Sequence, residues 1–440
     1  MQVTAQQHRS DLLSLLQLRP AAPEGAEAIR ENADDRLQGQ TLPTTRDEDW
    51  RFTDLSPLRA IELHSPAPVD VLDSTVADSI AAEAQASHLV FVNGGYAPHL
   101  SNVTGLPAGV FAGNLAQFPA NKRDRLEQYL AQQPGGEEVF TALNTASFGD
   151  VAIVWVPQGK IVEMPVQLLF VSALGTMPTA SSPRCLIVAE RNSSLVLVEQ
   201  YASTSPGCPD RNRDGAYFTN TVTEIYLEDN AQVEHIRLQR EGEAAIHISK
   251  TAITQGKDSR YTCHDITFGA KLSRRNLEVF QRGEGTETTL NGLTLIRGEQ
   301  LADTHSTVAL TCPNGTANQL HKCIVDGKGH AIFNGRVCVP KAAQLTNASQ
   351  LNRNLLLSPH ARVNTKPQLE IVADNVKCAH GATVSQLEDD EVFYLQSRGL
   401  NRKASEYLLL DAFAGEILQK LPIASLQMSL SRCVSCHTHI

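Results

Sequence analysis

Between about residue 150 and residue 385, short segments alternate apolar with polar positions: LVLVEQY, TEIYLED, AAIHISKTAI, NGLTLIRG, GRVCVP and QLEIVAD. Ile225/Leu227, Ile246/Ile248, Leu293/Leu295 and Leu369/Ile371 keep the period of two that marks a strand with one buried face. Asp229-Asn230, Gly256-Lys257, Gly298-Glu299 and Asn314-Gly315 separate the segments with reversal chemistry. No sustained helical pattern interrupts them, which disfavours βαβ units. A sandwich or a solenoid of stacked coils remains. The stretch is long for one sandwich and lacks a Cys…Trp…Cys spacing, yet no strict repeat marks a solenoid. Periodicity leaves that choice open.

The flanks read differently. Residues 1 to about 85 look helical and loosely organised, with Leu12, Leu13, Leu15 and Leu16 on an amphipathic stretch and a loop at Pro43 before Trp50. HLVFVNGGYAP (88–98) predicts a short strand ending in a tight turn, and KRDRLEQYLAQQ (122–133) a helix. After Gly399, Tyr407, Leu410, Phe413, Ile417 and Leu421 recur at helical spacing until Pro422 stops the pattern. So apolar a stripe must cover the chain's own core or dock on a partner. The chain thus divides into a mostly helical region (1–149), a β core (150–398) and a C-terminal helical region with a cysteine/histidine tail (399–440).

Composition narrows the class. Hydrophobic residues at 42% and charged residues at 20% are ordinary for a globular protein. A net charge of −10 argues against nucleic acid or an anionic membrane surface as partner. No apolar run is long enough to span a bilayer, and the first residues lack the pattern of a secretory signal. A reducing compartment is expected: the cytoplasm, or the plastid stroma if the chain is encoded there. The nine cysteines are odd in number and scattered apart from Cys433 and Cys436, which is no disulfide framework.

Two clusters could carry chemistry. Cys433-Val-Ser-Cys436-His437 matches the CxxCH of haem attachment, and His439 completes a donor set that tetrahedral zinc would accept. Haem attachment belongs to an exported compartment, and all four donors crowd into a terminus, where chains often fray. The second cluster is Cys378-Ala-His380-Gly381. On a strand, Cys378 and His380 point to one side about 7 Å apart; on a helix they diverge. The imidazole could then favour the thiolate, or the two could be unrelated residues, one buried and one solvated. His321 and Cys323 have the same spacing, so spacing alone cannot single out Cys378. Glu388, Asp389, Asp390 and Glu391 read as a solvated turn before a strand. As paired carboxylates they would instead suit a β-solenoid enzyme acting on polysaccharide. No P-loop, GxSxG, HExxH or GxGxxG motif is present, so any nucleotide-driven step must come from a partner.

The block FNGRVCVPKAAQLTNASQLNRNLLLSPHARVNTKPQLEIVADNVKCAHGATVSQLEDDEVFYLQSRG (333–399) resembles the SufD family, subunits of the SufB–SufC–SufD iron–sulfur cluster assembly complex. TRDEDWRFTDLSPL, LVFVNGGY and FTALNTASFGD extend the likeness upstream, and CAHGAT followed by Gln386-Leu387 favours SufD over its sister SufB. The resemblance implies a right-handed parallel β-helix core flanked by N-terminal and C-terminal helical regions. It implies a non-catalytic scaffold that pairs edge to edge with a SufB-like subunit, or with a second copy of itself when SufB is absent. His380, with a SufB cysteine, would build the nascent cluster, and Cys378 would help. Iron or a transient iron–sulfur cluster would sit at the shared interface, with none tightly bound in the isolated chain. A SufC-like ABC ATPase would dock on the helices carrying the Tyr407–Leu421 stripe. The CVSCHTHI tail, His321 and Cys323 match nothing in the family pattern.

Overall fold

The computed structural model describes residues 5–66, 71, 73–204 and 215–438. Each alternating segment is a strand, and successive strands fall alternately into two sheets. One sheet runs from His88–Val92 through Ile161–Ser172, Ser194–Ser203, Gln232–Glu241, Arg260–Gly269, Glu287–Ile296, Thr316–Val325 and Asn347–Leu356 to Lys377–Gln386. The other runs from Phe111–Asn114 through Ala152–Val156, Arg184–Ala189, Tyr217–Leu227, Ile246–Gln255, Leu272–Gln281, Leu301–Leu310 and His330–Val339 to Arg362–Ile371. Pairing between coils is parallel and in register: Gln232 lies against Arg260, Arg260 against Glu287, Glu287 against Thr316, Thr316 against Asn347 and Asn347 against Lys377. This is a parallel β-solenoid.

The turns entering the first sheet stack as regularly as the strands. Asn192, Asn230, Asp258, Gly285, Asn314 and Leu345 all have positive φ, between 55° and 69°. Asn, Asp and Gly tolerate that region; Leu does so only when its surroundings impose it. The imposition is a ladder. Asn230 N–H donates to Lys257 O at 2.8 Å, Asp258 N–H to Glu284 O at 2.8 Å, Asn314 N–H to Gln344 O at 3.0 Å and Leu345 N–H to Asn375 O at 2.7 Å.

Inward-facing side chains divide the lumen. One half is apolar, with Val233, Tyr261, Leu290 and Ala317 facing Ile253, Val279 and Val308. The other half is charged and fully buried. Glu199 accepts from Tyr201 Oη at 2.6 Å and lies 3.2 Å from His235 Nε2; Asp265 is held by Arg237 at 3.1 Å and Arg275 at 2.6 Å; Glu241 is 2.7 Å from His247 Nδ1. Charges out of water persist only when paired in this way.

Helices cover the outer faces. The N-terminal region lays Leu12, Leu37, Trp50 and Phe140 on Phe218, Ile246 and Leu272 of the second sheet. The C-terminal helices Arg402–Leu418 and Ala424–Thr438 cover Ile236, Ile266, Leu293 and Ile324 of the first. The stripe read from the sequence is therefore largely internal: Leu410, Ile417 and Leu421 are 3%, 0% and 2% exposed, while Tyr407 and Phe413 are half-buried. Buried Lys322, from the strand beneath, pairs with Glu416, donates to Phe413 O at 2.9 Å and sits 4.2 Å from the Phe413 ring centroid.

Other boundaries shift. The N-terminal region supplies strands to both sheets, because His88–Val92 pairs in parallel with Ile161–Ser172. Of residues 122–133 only Arg123–Leu126 is α-helical. The last strand ends at Gln386, and the acidic run opens the helix Asp389–Ser397 rather than leading into a strand. Carboxylates in a first turn complement the helix dipole, which explains the run without catalysis.

The two ends of the solenoid differ. At the N-terminal end, Phe111–Asn114 pairs antiparallel with Ala152–Val156 and Gly95–Tyr96 with His88–Val92, closing the sheets. At the C-terminal end, Arg362–Ile371 and Lys377–Gln386 are last in their sheets, with no strand beyond them among the described residues.

Two stability predictions follow from the packing. Ile417→Ala should destabilise the chain by about 3 kcal/mol, read as a lowered melting temperature of the isolated protein; an unchanged melting point would return Ile417 to the surface. Burial alone would raise the Glu199 carboxyl, but His235 and Arg237 outweigh it and hold the group at about 2 against an ordinary 4.5. A depressed carboxylate contributes stability that is complete above its unfolded value and lost as pH falls towards its folded one. Melting temperature should therefore drop more steeply below about pH 4.5 in the parent than in Glu199→Gln. Parallel curves would refute the pairing.

Candidate functional site

Cys378 and His380 lie on the edge strand Lys377–Gln386. Strand geometry turns both to one face, as their spacing requires. Their in-register neighbours on the penultimate strand are Ala348 and Gln350, both buried and both facing the lumen. The pair therefore stands on the lumen side of the last coil, where no further coil covers it. Cys378 is half-buried, packed with Leu369 and Val376 against the apolar half of the interior. His380 is exposed.

Of the two readings that the spacing allows, a thiolate favoured by the imidazole or two unrelated residues, the surroundings of Cys378 favour the neutral thiol. Burial pushes the Cys378 thiol up, with a smaller opposing contribution from hydrogen bonding to the Ala348 backbone. No hydrogen bond joins thiol and imidazole among the described residues, so in the isolated chain Cys378 is a protonated thiol beside a solvent-facing histidine.

The rival pair has a different fate. His321 and Cys323 face inward on Thr316–Val325, a central strand. His321 stacks on Phe333 with centroids 4.9 Å apart, meets Thr294 Oγ1 at 3.1 Å, and is lowered to about 4 by burial. Burial pushes Cys323 up to about 12. They are core residues. Position along the solenoid, which spacing cannot express, separates the two pairs.

Of the tail's four donors, the side chains of Cys433 and Cys436 are described. The helix Ala424–Thr438 carries the tail from Cys433 to Thr438. Cys433 is buried in the helix–sheet core while Cys436 is exposed, pointing away. The His437 side chain and His439 lie outside the described residues. Among the described residues no three His, Cys, Asp or Glu side chains group to hold a metal ion. Large apolar side chains do stand free close to the C-terminal helices: Phe393 is 70%, Tyr394 58% and Leu408 45% exposed. An isolated exposed side chain has no period, so the helical spacing that marks Tyr407–Leu421 does not reveal them.

Alkylation resolves the thiols. In the isolated chain Cys436 should react with iodoacetamide well before Cys378, and Cys185, Cys263 and Cys323 should stay protected until unfolding. Mass spectrometry of labelled peptides at neutral pH would expose the error if Cys378 were modified as fast as Cys436.

Comparison with known proteins agrees with this architecture. A model of the SUF system FeS cluster assembly SufBD core domain matches residues 171–413, and a model of the SufBD protein N-terminal region matches residues 17–168. An iron–sulfur cluster assembly SufBD family protein of Synechocystis is 51% identical over 93% of this chain and 90% of its own. The chloroplastic protein ABCI7 of Arabidopsis thaliana is 34% identical over 92% and 85%. The iron–sulfur cluster assembly protein SufD of Escherichia coli is 31% identical over 86% and 85%.

Proposed function

Because this chain belongs to the SufBD family of iron–sulfur cluster assembly proteins, we propose that it is the SufD-type scaffold subunit of such an assembly, with its open coil as the pairing surface. The observation that carries this is the asymmetry of the solenoid. One end is closed by antiparallel strands, whereas the other leaves two strand edges unpaired among the described residues, with His380 exposed on one of them. An unpaired edge is a template for another strand. A SufB-like subunit continues the two sheets there, and a second copy of this chain takes that place when SufB is absent.

At the junction His380 offers an imidazole to iron or a nascent iron–sulfur cluster, the cargo of the assembly, alongside thiolates of the partner. One imidazole among thiolates holds a cluster less firmly than four thiolates would, which suits a scaffold that must release it. Cys378 contributes only after deprotonation, since burial favours its thiol. Chain pairing alters that burial. The chain performs no chemistry of its own: nucleotide hydrolysis belongs to a SufC-like ABC ATPase docked on the C-terminal helical region. With Leu410, Ile417 and Leu421 committed to the core, docking falls to Phe393, Tyr394 and Leu408, which stand free. Likeness to a chloroplastic relative supports the plastid stroma as the working compartment, and likeness to the bacterial relatives the cytoplasm.

His380→Ala should abolish cluster maturation in cells while the complex still assembles and co-purifies. Full maturation in that variant would remove His380 from the site.

A further inference from the structure

His380 is exposed, and an exposed imidazole samples many orientations and both neutral tautomers. Histidines that ligate metal are almost always fixed through the other ring nitrogen, which donates to a carboxylate, a carbonyl or water. The penultimate coil holds an acceptor suited to this. Gln350 is the in-register neighbour of His380 on the adjoining strand, and both side chains face the lumen side of the sheet. Adjacent strands lie about 4.8 Å apart, so the two side chains stand one above the other. Gln350 is 2% exposed, and its Oε1 is buried with no hydrogen-bond partner among the described residues.

The orientation of that amide is set from behind. Gln319 Nε2 donates to Ser306 Oγ at 2.8 Å. Gln319 Oε1 lies 3.2 Å from the same hydroxyl and also receives Gln350 Nε2 at 2.8 Å. The Gln350 amide lies over Gly335, where a Cβ would come within 2.2 Å of its Nε2, so the glycine makes room for it. A column therefore runs Ser306, Gln319, Gln350, each amide directed by the one before, and ends on an unused acceptor next to His380. A buried carbonyl without a partner is costly and rare. This one sits on the last covered coil, one strand beneath the imidazole that the edge strand Lys377–Gln386 presents.

We infer that Gln350 is a positioning residue for His380: its Oε1 accepts the N–H of one ring nitrogen, selects the tautomer, and leaves the other nitrogen free to ligate iron at the subunit junction. The inference rests on the role proposed for His380 and adds the group that makes that role geometrically specific. It also accounts for the amide. A carboxylate there would accept equally well but would add a charge to a closed coil, and an apolar residue could not accept.

The test uses the full chain, alone and with its co-purified partners, with ¹⁵N-labelled histidine and His380→Ala to assign the ring signals. In the parent, the His380 signals should report one dominant tautomer. Gln350→Met, close in shape but without an acceptor, should give the mixed tautomers of free histidine and lower cluster maturation about tenfold, with partners still bound. Gln350→Glu keeps an acceptor: it should retain one tautomer and most of the maturation. Either variant is informative if the other fails to fold. His380 signals unchanged in both, or altered signals with full maturation, overturn the inference. Should His380→Ala itself mature clusters normally, the role proposed for His380 fails first, whatever Gln350 does.

Discussion

Each coil of this protein is held by backbone hydrogen bonds to the coil before it and the coil after it, and the last coil has only one neighbour. That constraint organises the rest. A stack of in-register strands cannot satisfy its own terminal N–H and C=O groups, so each end must be closed by something else. The chain closes its first end itself, by folding Gly95–Tyr96 and Phe111–Asn114 back antiparallel. At the other, no strand among the described residues covers Arg362–Ile371 and Lys377–Gln386. The residues of the proposed site stand where the ladder stops.

The interior explains how such an edge can be presented without loss of register. The apolar half of the lumen supplies non-directional burial, which would tolerate sliding of one coil over another. The charged half does not tolerate it. Moving Arg237 away from Asp265, or His235 from Glu199, would strand a charge in a closed interior. The stacked left-handed turns add a second constraint, because each N–H is aimed at one carbonyl of the next coil. Together they hold the final strands where a partner can meet them.

The C-terminal helices are part of the same body rather than an appendage. Lys322 reaches outward from the strand whose inward residues are His321 and Cys323, and its ammonium is shared between Glu416 and the Phe413 carbonyl and ring. A protein docked on these helices would press on a strand two positions from the edge of the sheet. That gives a mechanical route from the helical region to the open coil, made of packed side chains and one ion pair whose lysine is buried.

Much of this was legible in the residues. Period-two segments marked the strands, the 3–4 spacing marked the helix after Gly399, and the block 333–399 carried the family likeness. A repeat was present too, written in turns rather than in strands: Asn230, Asp258, Gly285, Asn314 and Leu345 each stand just before a strand of one sheet. Unequal coil lengths and a leucine among the turn residues hid it. The sequence by itself determined which residues alternate, which turns reverse, and that Cys378 and His380 share a side of a strand. Only the tertiary structure decided which Cys–His pair is sealed, which stripe is core, and that Gln350 lies beneath His380. Those depend on which coil is last and which strand lies next to which, relations between segments about thirty residues apart that no local pattern encodes.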